Sequence, residues 1–407
     1  MSVHRRASGP AWLGLLLLAG VGLTACTEEL TTPGSCPGTC PGGAVEIKDT
    51  VIEATVGRDS AYAGYVMAGD GSGLLVTTAE PTDQYLAAMR FGGRPDSVRV
   101  NDTLKPYTID SVALTLGVTG RDPTVIGVVL QLYRAPVTID STSTFADLAG
   151  YAVPANFIDS IVVPDTLTTG NVRVVLAGAD LAKVAIPPGD SGVLALVVGM
   201  TAASPTGVVL GSGTAATYLP QFITYPSVAG VDSTKQPNPI IRVPTEDLFA
   251  EQNPPVAGPD ELILGGAPSS RILLRFPVDS GSLIGLELLR AELLLVPSQP
   301  IQGVPGISGD LVVRGVLSDQ GAKSPLVPSI LASSDVTAGS SDTVAIEVLN
   351  LVKLWQAPSN APKTAFFLSL QPEASTFTRP IFFSTASAGG GARLRITYAT
   401  TLDFEEP

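Results

Sequence analysis

The rhythm of its apolar runs constrains this chain more than any other feature. From Ala44 onward, short stretches rich in Val, Ile, Leu, Thr and Phe are interrupted by clusters of Gly, Pro, Asp, Asn and Ser. These include Gly69-Asp70-Gly71-Ser72-Gly73, Pro188-Gly189-Asp190 and Gly389-Gly390-Gly391. Such runs are too short for most core helices, and the residues between them supply the backbone conformations that turns need. The spacing predicts an all-β fold, a sandwich or barrel with few helices. Strands are predicted at 85–91, 111–117, 127–133, 171–176, 192–198, 271–276, 291–296, 310–316, 343–348, 365–370 and 393–398. Most are too apolar to keep one face in water, so both faces are expected to be covered, as in packed sheets.

The order of these runs repeats. Gly73-Leu74-Leu75-Val76 and Leu86-Ala87-Ala88-Met89-Arg90-Phe91 are echoed by Glu261-Leu262-Ile263-Leu264 and Ile272-Leu273-Leu274-Arg275-Phe276. Residues 109–116 are echoed by 288–295, and Phe222-Ile223-Thr224-Tyr225 by Arg395-Ile396-Thr397-Tyr398. The offsets fall from 185 (Phe91 to Phe276) to 179 (Leu116 to Leu295) to 173 (Tyr225 to Tyr398), a drift that loop-length changes explain. Two copies of one domain follow, with one large sandwich of accidental similarity as the alternative. A chain of 407 residues also exceeds the size at which one core stops growing. The boundary is expected near 226–239, giving sandwich domains at 45–230 and 231–401 and a tail at 402–407.

The chain opens on His4-Arg5-Arg6, continues through an apolar run at 11–22, and reaches Leu23-Thr24-Ala25-Cys26. That is a basic region, a hydrophobic region and a small-residue cleavage site, and the run is shorter than the roughly 20 residues a membrane-spanning helix needs. Leu-Thr-Ala-Cys resembles the lipobox of bacterial lipoproteins. The resemblance implies a signal peptide at 1–25, lipidation of Cys26, and a lipidated tether at 26–44. Several acyl chains on one residue hold a protein durably at a membrane, where a single chain binds marginally. Thr27 in place of Asp after the cysteine implies, by the lipoprotein sorting rule, the outer membrane of a Gram-negative host, facing the periplasm or the cell surface.

Loss of residues 1–25 removes two arginines and no acids, leaving 22 basic against 37 acidic residues and a net charge near −15. Such a surface repels nucleic acid, which is not an expected partner. The only histidine, His4, goes with the leader. Cys36 and Cys40, in Cys36-Pro37-Gly38-Thr39-Cys40, suit a small disulfide loop in an oxidising envelope. A metal pair or redox centre is the alternative, but two cysteines without histidine do not complete a zinc site. A body without His or Cys excludes Ser-His-Asp triads, Cys-His nucleophiles and histidine-rich metal sites.

The second copy resembles a known family. Arg271-Ile272-Leu273-Leu274-Arg275-Phe276, Val348-Leu349-Asn350-Leu351-Val352-Lys353-Leu354-Trp355, Phe382-Phe383-Ser384-Thr385 and Arg393-Leu394-Arg395-Ile396-Thr397-Tyr398 look like the DNRLRE-domain family. The resemblance spans most of 240–400 and, more faintly, 45–226. It implies two tandem jelly-roll β-sandwiches of a secreted bacterial protein, related in fold to carbohydrate-binding modules. The first copy lacks the tryptophan and offers 176–183 instead.

Candidate ligand residues are few. Trp355 lies on an apolar helical stripe, so core packing is expected over sugar stacking. Tyr62, Tyr65, Tyr85 and Tyr218 are the remaining candidates for a glycan platform. Asp70, Asp102, Asp190 and Asp279, with Asn101, sit in loops and suggest structural calcium, although none has EF-hand spacing and Asp is ordinary in Gly-rich turns. No other cofactor and no catalytic residue is expected. The sequence points to a non-catalytic envelope lipoprotein that binds a glycan or an envelope protein. A purely structural role and a carboxylate-dependent surface glycosidase or lyase are the alternatives. Replacing Cys26 by Ala is expected to abolish palmitate labelling and move the protein from the membrane to the soluble fraction; label retained on the variant would refute lipidation at Cys26.

Overall fold

The structure is a computed structural model that describes residues 47–53, 58–78, 84–185, 192–356, 363–388 and 390–400. The leader, Cys26, Cys36, Cys40, Asp190 and the 402–407 tail lie outside the described residues. The first sequence repeat supplies β1 (Ile47–Glu53), β2 (Ser60–Ala63), β3 (Gly73–Thr77), β4 (Tyr85–Phe91), β5 (Ser97–Val100), β6 (Thr103–Pro106) and β7 (Thr108–Arg121). It continues with β8 (Val129–Ala135), β9 (Phe157–Val162), β10 (Gly170–Ala177), β11 (Leu194–Thr201), β12 (Gly207–Gly211) and β13 (Gln221–Ser227). The second supplies β14 (Ile240–Arg242), β15 (Pro244–Glu251), β16 (Glu261–Ile263), β17 (Ser270–Arg275), β18 (Leu286–Leu295) and β19 (Gly309–Val316). It ends with β20 (Leu326–Val336), β21 (Val344–Glu347), β22 (Lys363–Gln371), β23 (Ile381–Phe383) and β24 (Arg393–Thr400).

The fold is all-β, as the rhythm of the sequence predicts, and builds two sandwiches. In the first, the sheet β15-β4-β11-β8-β9 packs on the sheet β14-β13-β7-β12-β3, with β10 also paired to β7. Their inner faces share one core that includes Phe91, Leu116, Leu130 and Phe222. In the second, β2-β17-β22-β19-β20 packs on β1-β24-β18-β21, beside the short pair β16-β23. Its core includes Leu274, Leu293, Trp355 and Leu394. Many successive strands switch from one sheet to the other, while β8-β9, β12 to β14 and β19-β20 stay within a sheet. The two sandwiches match strand for strand: β4-β11-β8-β9 corresponds to β17-β22-β19-β20, and β13-β7-β10 to β24-β18-β21.

One relation departs from the expected tandem domains. The first two strands of each repeat belong to the other sandwich. β1 pairs with β24 and β2 with β17, so residues 47–63, expected within the 45–230 domain, complete the second sandwich. Reciprocally, β14 pairs with β13 and β15 with β4, so residues 240–251, expected within the 231–401 domain, complete the first. The cause is local. β14 follows β13 after a 12-residue connection (228–239) and pairs back on it antiparallel, joining consecutive strands at a modest loop-closure cost. That connection is held by the Gln236 side chain, whose Oε1 accepts from Val228 N (2.8 Å) and whose Nε2 donates to Val231 O (2.8 Å). With β14 and β15 committed to the first sandwich, the edges of β24 and β17 are completed by the N-terminal arm.

Registers correct one of the sequence echoes as well. Phe222 faces Leu114 in the first core, and Leu394 faces Leu293 in the second. Phe222 therefore corresponds to Leu394, not Arg395. The shared Ile-Thr-Tyr is one residue out of phase: Ile396 is fully buried, whereas Ile223 is only partly so. A one-residue slip turns every side chain to the opposite face, so identical letters here mark different sides of the sheet.

Outside the main cores, the second face of β4 and β11 is covered by the helix Phe145–Tyr151, whose Leu148 packs with Leu86, Ala88, Val197 and Leu248. Thr144 caps this helix reciprocally with Asp147. The predicted helical stripe forms Leu349–Lys353 followed by a 3-10 turn, Leu354–Gln356. Trp355 is fully buried there and stacks on Phe366 with ring centroids 4.9 Å apart. The 3-10 turn Gly178–Val184 takes the same place between β10 and β11. Trp355→Ala is expected to destabilise the protein by about 3–5 kcal/mol, read by urea unfolding, because no neighbour can fill the vacated core; an unchanged midpoint would contradict the core assignment.

Candidate functional site

The residues selected from sequence do not assemble into one site. Tyr62 and Tyr65 do lie together, over Leu273, Val316 and Phe367 on the second sandwich. The Tyr65 ring is capped by the Arg271 guanidinium at 4.1 Å, which occupies one of its faces, and it packs perpendicular to Phe367 with ring centroids 5.9 Å apart. Arg271 is held in turn by Glu373, with Nε to Oε1 at 2.6 Å and Nη2 to Oε2 at 2.7 Å. Tyr218 stands apart, at φ +59°, with its backbone laid over Gly117 and Gly211, where a Cβ on either glycine would collide with its carbonyl oxygen. Tyr85 is buried between the two sandwiches.

The acids disperse too. Asp102, with Asn101, occupies the left-handed turn between β5 and β6, exposed and 3.8 Å from Arg99. Asp70 lies in the crossing between β2 and β3, and Asp279 in a turn whose carbonyl accepts from Ser282. Among the described residues, no three His, Cys, Asp or Glu side chains come together as a metal cluster.

The exchange of strands creates a different site. Because the chain crosses twice between sandwiches, loops of the second are pressed against the first, and Val304 and Phe377 enter the first core. Phe377 meets Tyr85 edge-on at 5.5 Å. Gly207 permits the approach, since a Cβ there would lie 2.7 Å from Phe377 Cζ and 2.9 Å from Val304 Cγ2. The crossing at 64–72 is fitted as closely. A Cβ on Gly69 would strike the Asp247 carbonyl oxygen, and Gly73 N donates to Ser375 Oγ at 3.1 Å.

A buried polar network fixes this seam. Arg379 Nη1 donates to both carboxylate oxygens of Glu251 (3.0 and 2.9 Å) and lies 3.4 Å from the Tyr85 hydroxyl. Its Nε and Nη2 donate to Gln302 Oε1 at 3.2 and 2.9 Å. The ion-paired side chains are only 5% and 4% exposed, so neither charge has bulk water as an alternative partner. Arginine only donates, which fixes the Gln302 carbonyl toward it and turns the Gln302 amide NH2 away.

Beside this network lies a cleft of about 290 Å³, lined by Tyr85, Thr206, Gln302, Pro305, Phe377 and Arg379 among others. Both sandwiches contribute to it. Aromatic and proline faces supply apolar walls, and hydroxyl, amide and guanidinium groups supply directional ones, the mixture found in small-ligand sites. A second cleft, of about 380 Å³, opens across the same loops, between Thr119, Val209 and Ala216 of one sandwich and Ile307, Ser308 and Ser375 of the other. Of the sequence candidates only Tyr85 reaches the first cleft. The other lining residues come from loops without a motif, and no local signal announces that they meet.

Asp247, on the exchanged β15, is a carboxyl at the seam whose protonation is shifted by burial. Burial pushes its carboxyl up to about 6, while the Gly213 amide that donates to it works in the opposite direction and Glu246 and Asp70 add repulsion. A raised carboxyl pKa means that folding favours the protonated form. Its effect is most favourable below the unfolded value of 3.8, declines as pH rises to about 6, and is constant above. Asp247→Asn keeps an acceptor for Gly213 without the charge. The variant is expected to gain stability over wild type between pH 4 and 7, by at most about 3 kcal/mol; a difference independent of pH would contradict a titrating Asp247.

No protein-family model matches the chain, and no curated protein matches it. Among solved structures, the chain is similar to the infectious bursal disease virus VP2 subviral particle. The similarity has 12% identity over 90% of this chain and 79% of that one, with a TM-score of 0.16, too low to bear on function.

Proposed function

We propose that the chain is a non-catalytic lipoprotein of the bacterial cell envelope, anchored at the outer membrane through acylated Cys26, and that its paired sandwiches bind a glycan at the seam. The observation that carries this reading is the cleft that both sandwiches line. Pro305, exposed above the buried Phe377, offers apolar surface for the C–H face of a sugar ring, and the Gln302 amide, oriented by Arg379, offers donors for hydroxyls. At about 290 Å³ the cleft sits at the small end of ligand sites, which suits a single sugar unit better than a chain.

Two features favour a neutral ligand and binding over hydrolysis. Arg379 is already neutralised by Glu251, so the cleft lacks a spare positive charge for an anionic sugar. Glu251, the acid behind the cleft, has both oxygens engaged by Arg379, whereas a glycosidase needs one carboxyl to hold a proton and the other to attack or activate water.

The test is a neutral-glycan array probed with wild type and with Pro205→Trp, which places bulk at the exposed lip of the cleft without touching the buried network. Selective binding that falls at least about tenfold in the variant is expected. Binding that survives the plug, or none to any glycan, would overturn the glycan reading and favour a structural role.

A further inference from the structure

The two exchanged arms are unequal. The β14-β15 arm is sunk into the first sandwich, with Leu248 and Phe249 in its cores and Glu251 in the buried ion pair. The reciprocal arm, β1 and β2, has no buried side chain among those described. Its anchors lie at or near the surface. Asp49 reaches Arg395 and Thr397, Asp59 accepts from Thr385 N (2.7 Å) and Oγ1 (2.9 Å), and Tyr62 rests on the outer face of the second sandwich. Both strands are edge strands, bonded to one neighbour each, β1 to β24 and β2 to β17. Backbone pairing along one edge and these surface contacts join the arm to the second sandwich, and edge pairing of this kind opens locally more readily than pairing at a sheet centre.

The chain beyond the arm is pinned. Tyr65 lies under Arg271, its hydroxyl bonds the Ala322 carbonyl, and Val66 N donates to Ser269 Oγ at 3.1 Å. Between pinned and unpinned chain stands Gly64, at φ +94° with no atom within 4 Å of a Cβ built on it. A hinge belongs at such a point, because only glycine turns there freely. A released arm of residues 47–63 reaches about 55 Å when extended.

We infer that the N-terminal arm exchanges between copies of this chain: β1 and β2 of one molecule pair with β24 and β17 of a second, and the reverse. The occupant is fixed by the structure. The vacated edges are complementary to the β1 and β2 sequences in a defined register, with Asp49 opposite Thr397 and Tyr62 opposite Arg271, and the exchange within one chain already proves that these strands complete a sheet built by another repeat. The result is a two-fold dimer closed by identical arms, the low-cost route of domain swapping. A molecule's own arm competes at an effective concentration of order millimolar, so exchanged pairs are a minority in dilute solution and increase as copies crowd on a surface. The inference does not depend on the seam cleft having a ligand.

The experiment uses the full chain with Cys36 and Cys40 changed to Ser. One tagged copy carries Asp49→Cys, a differently tagged copy carries Thr397→Cys, and both are mixed under mild oxidation at rising concentration in detergent and on vesicles. A disulfide-linked dimer bearing both tags is expected, at least about tenfold above the same mixture with Asp102→Cys replacing Asp49→Cys. A third chain carrying Asp49→Cys and Thr397→Cys together reports the pairing itself and is expected to close internally as a monomer. Internal closure with no mixed dimer at any concentration would overturn exchange between copies. Failure of internal closure would overturn the β1-β24 pairing and the inference with it.

Discussion

Everything distinctive in this molecule depends on where unpaired sheet edges find their partners. A strand edge presents a row of amides and carbonyls that a further strand can pair, and in each sandwich one edge of either main sheet, β13 and β4 in the first and β24 and β17 in the second, is extended by a strand of the other repeat. The hairpin from β13 to β14 settles the matter for one sandwich at short range. Once β14 and β15 are committed there, the corresponding edges of the other sandwich are served by the N-terminal arm. The two halves are thus interlocked in their backbone pairing, and neither repeat contains a complete sandwich.

Interlocking explains the seam. Loops of one sandwich lie tight against the other, which is why a Cβ on Gly69 would collide with the Asp247 backbone, one on Gly73 with the Val209 side chain and one on Gly207 with the Phe377 ring. The same closeness removes water from Arg379 and Glu251. A charge buried there is tolerable only with a partner, and the bidentate contact, Gln302 and the Tyr85 hydroxyl supply it. Residues from both repeats share this network, so it senses whether the halves are properly joined. The cleft beside it exists for the same reason: neither sandwich alone has those walls.

The sequence is most informative where side-chain pattern reports burial. Each strand predicted from the apolar rhythm overlaps an observed strand, because runs such as those in β4 and β11 are buried on both faces and contain almost nothing polar. Trp355 was legible as core from its helical stripe. The helix Phe145–Tyr151 was missed, although Thr144 and Asp147 form a capping pair in the sequence, because seven residues are too few for a periodicity to stand out. The exchange is not legible, since edge strands of either repeat have the same pattern and the partner of an edge is decided by loop geometry. The false Ile-Thr-Tyr echo shows a related limit: letters align without regard to which face of the sheet they occupy. The cleft residues come from loops distant in sequence, where no period exists to detect.

Reciprocal exchange is tested most directly by asking which repeat a strand is joined to after the chain is cut. A protease site inserted at Gly230, in the connection between β13 and β14, separates the repeats, and Arg90→Cys with Glu246→Cys places one thiol on β4 and the other at its register partner on β15. Exchange predicts that the oxidised, cut protein remains one covalent species on a denaturing gel without reductant and falls into two fragments when reduced. Two fragments without reductant, from a protein that was folded when oxidised, would mean that β15 does not lie on β4 and that each repeat closes its own sandwich.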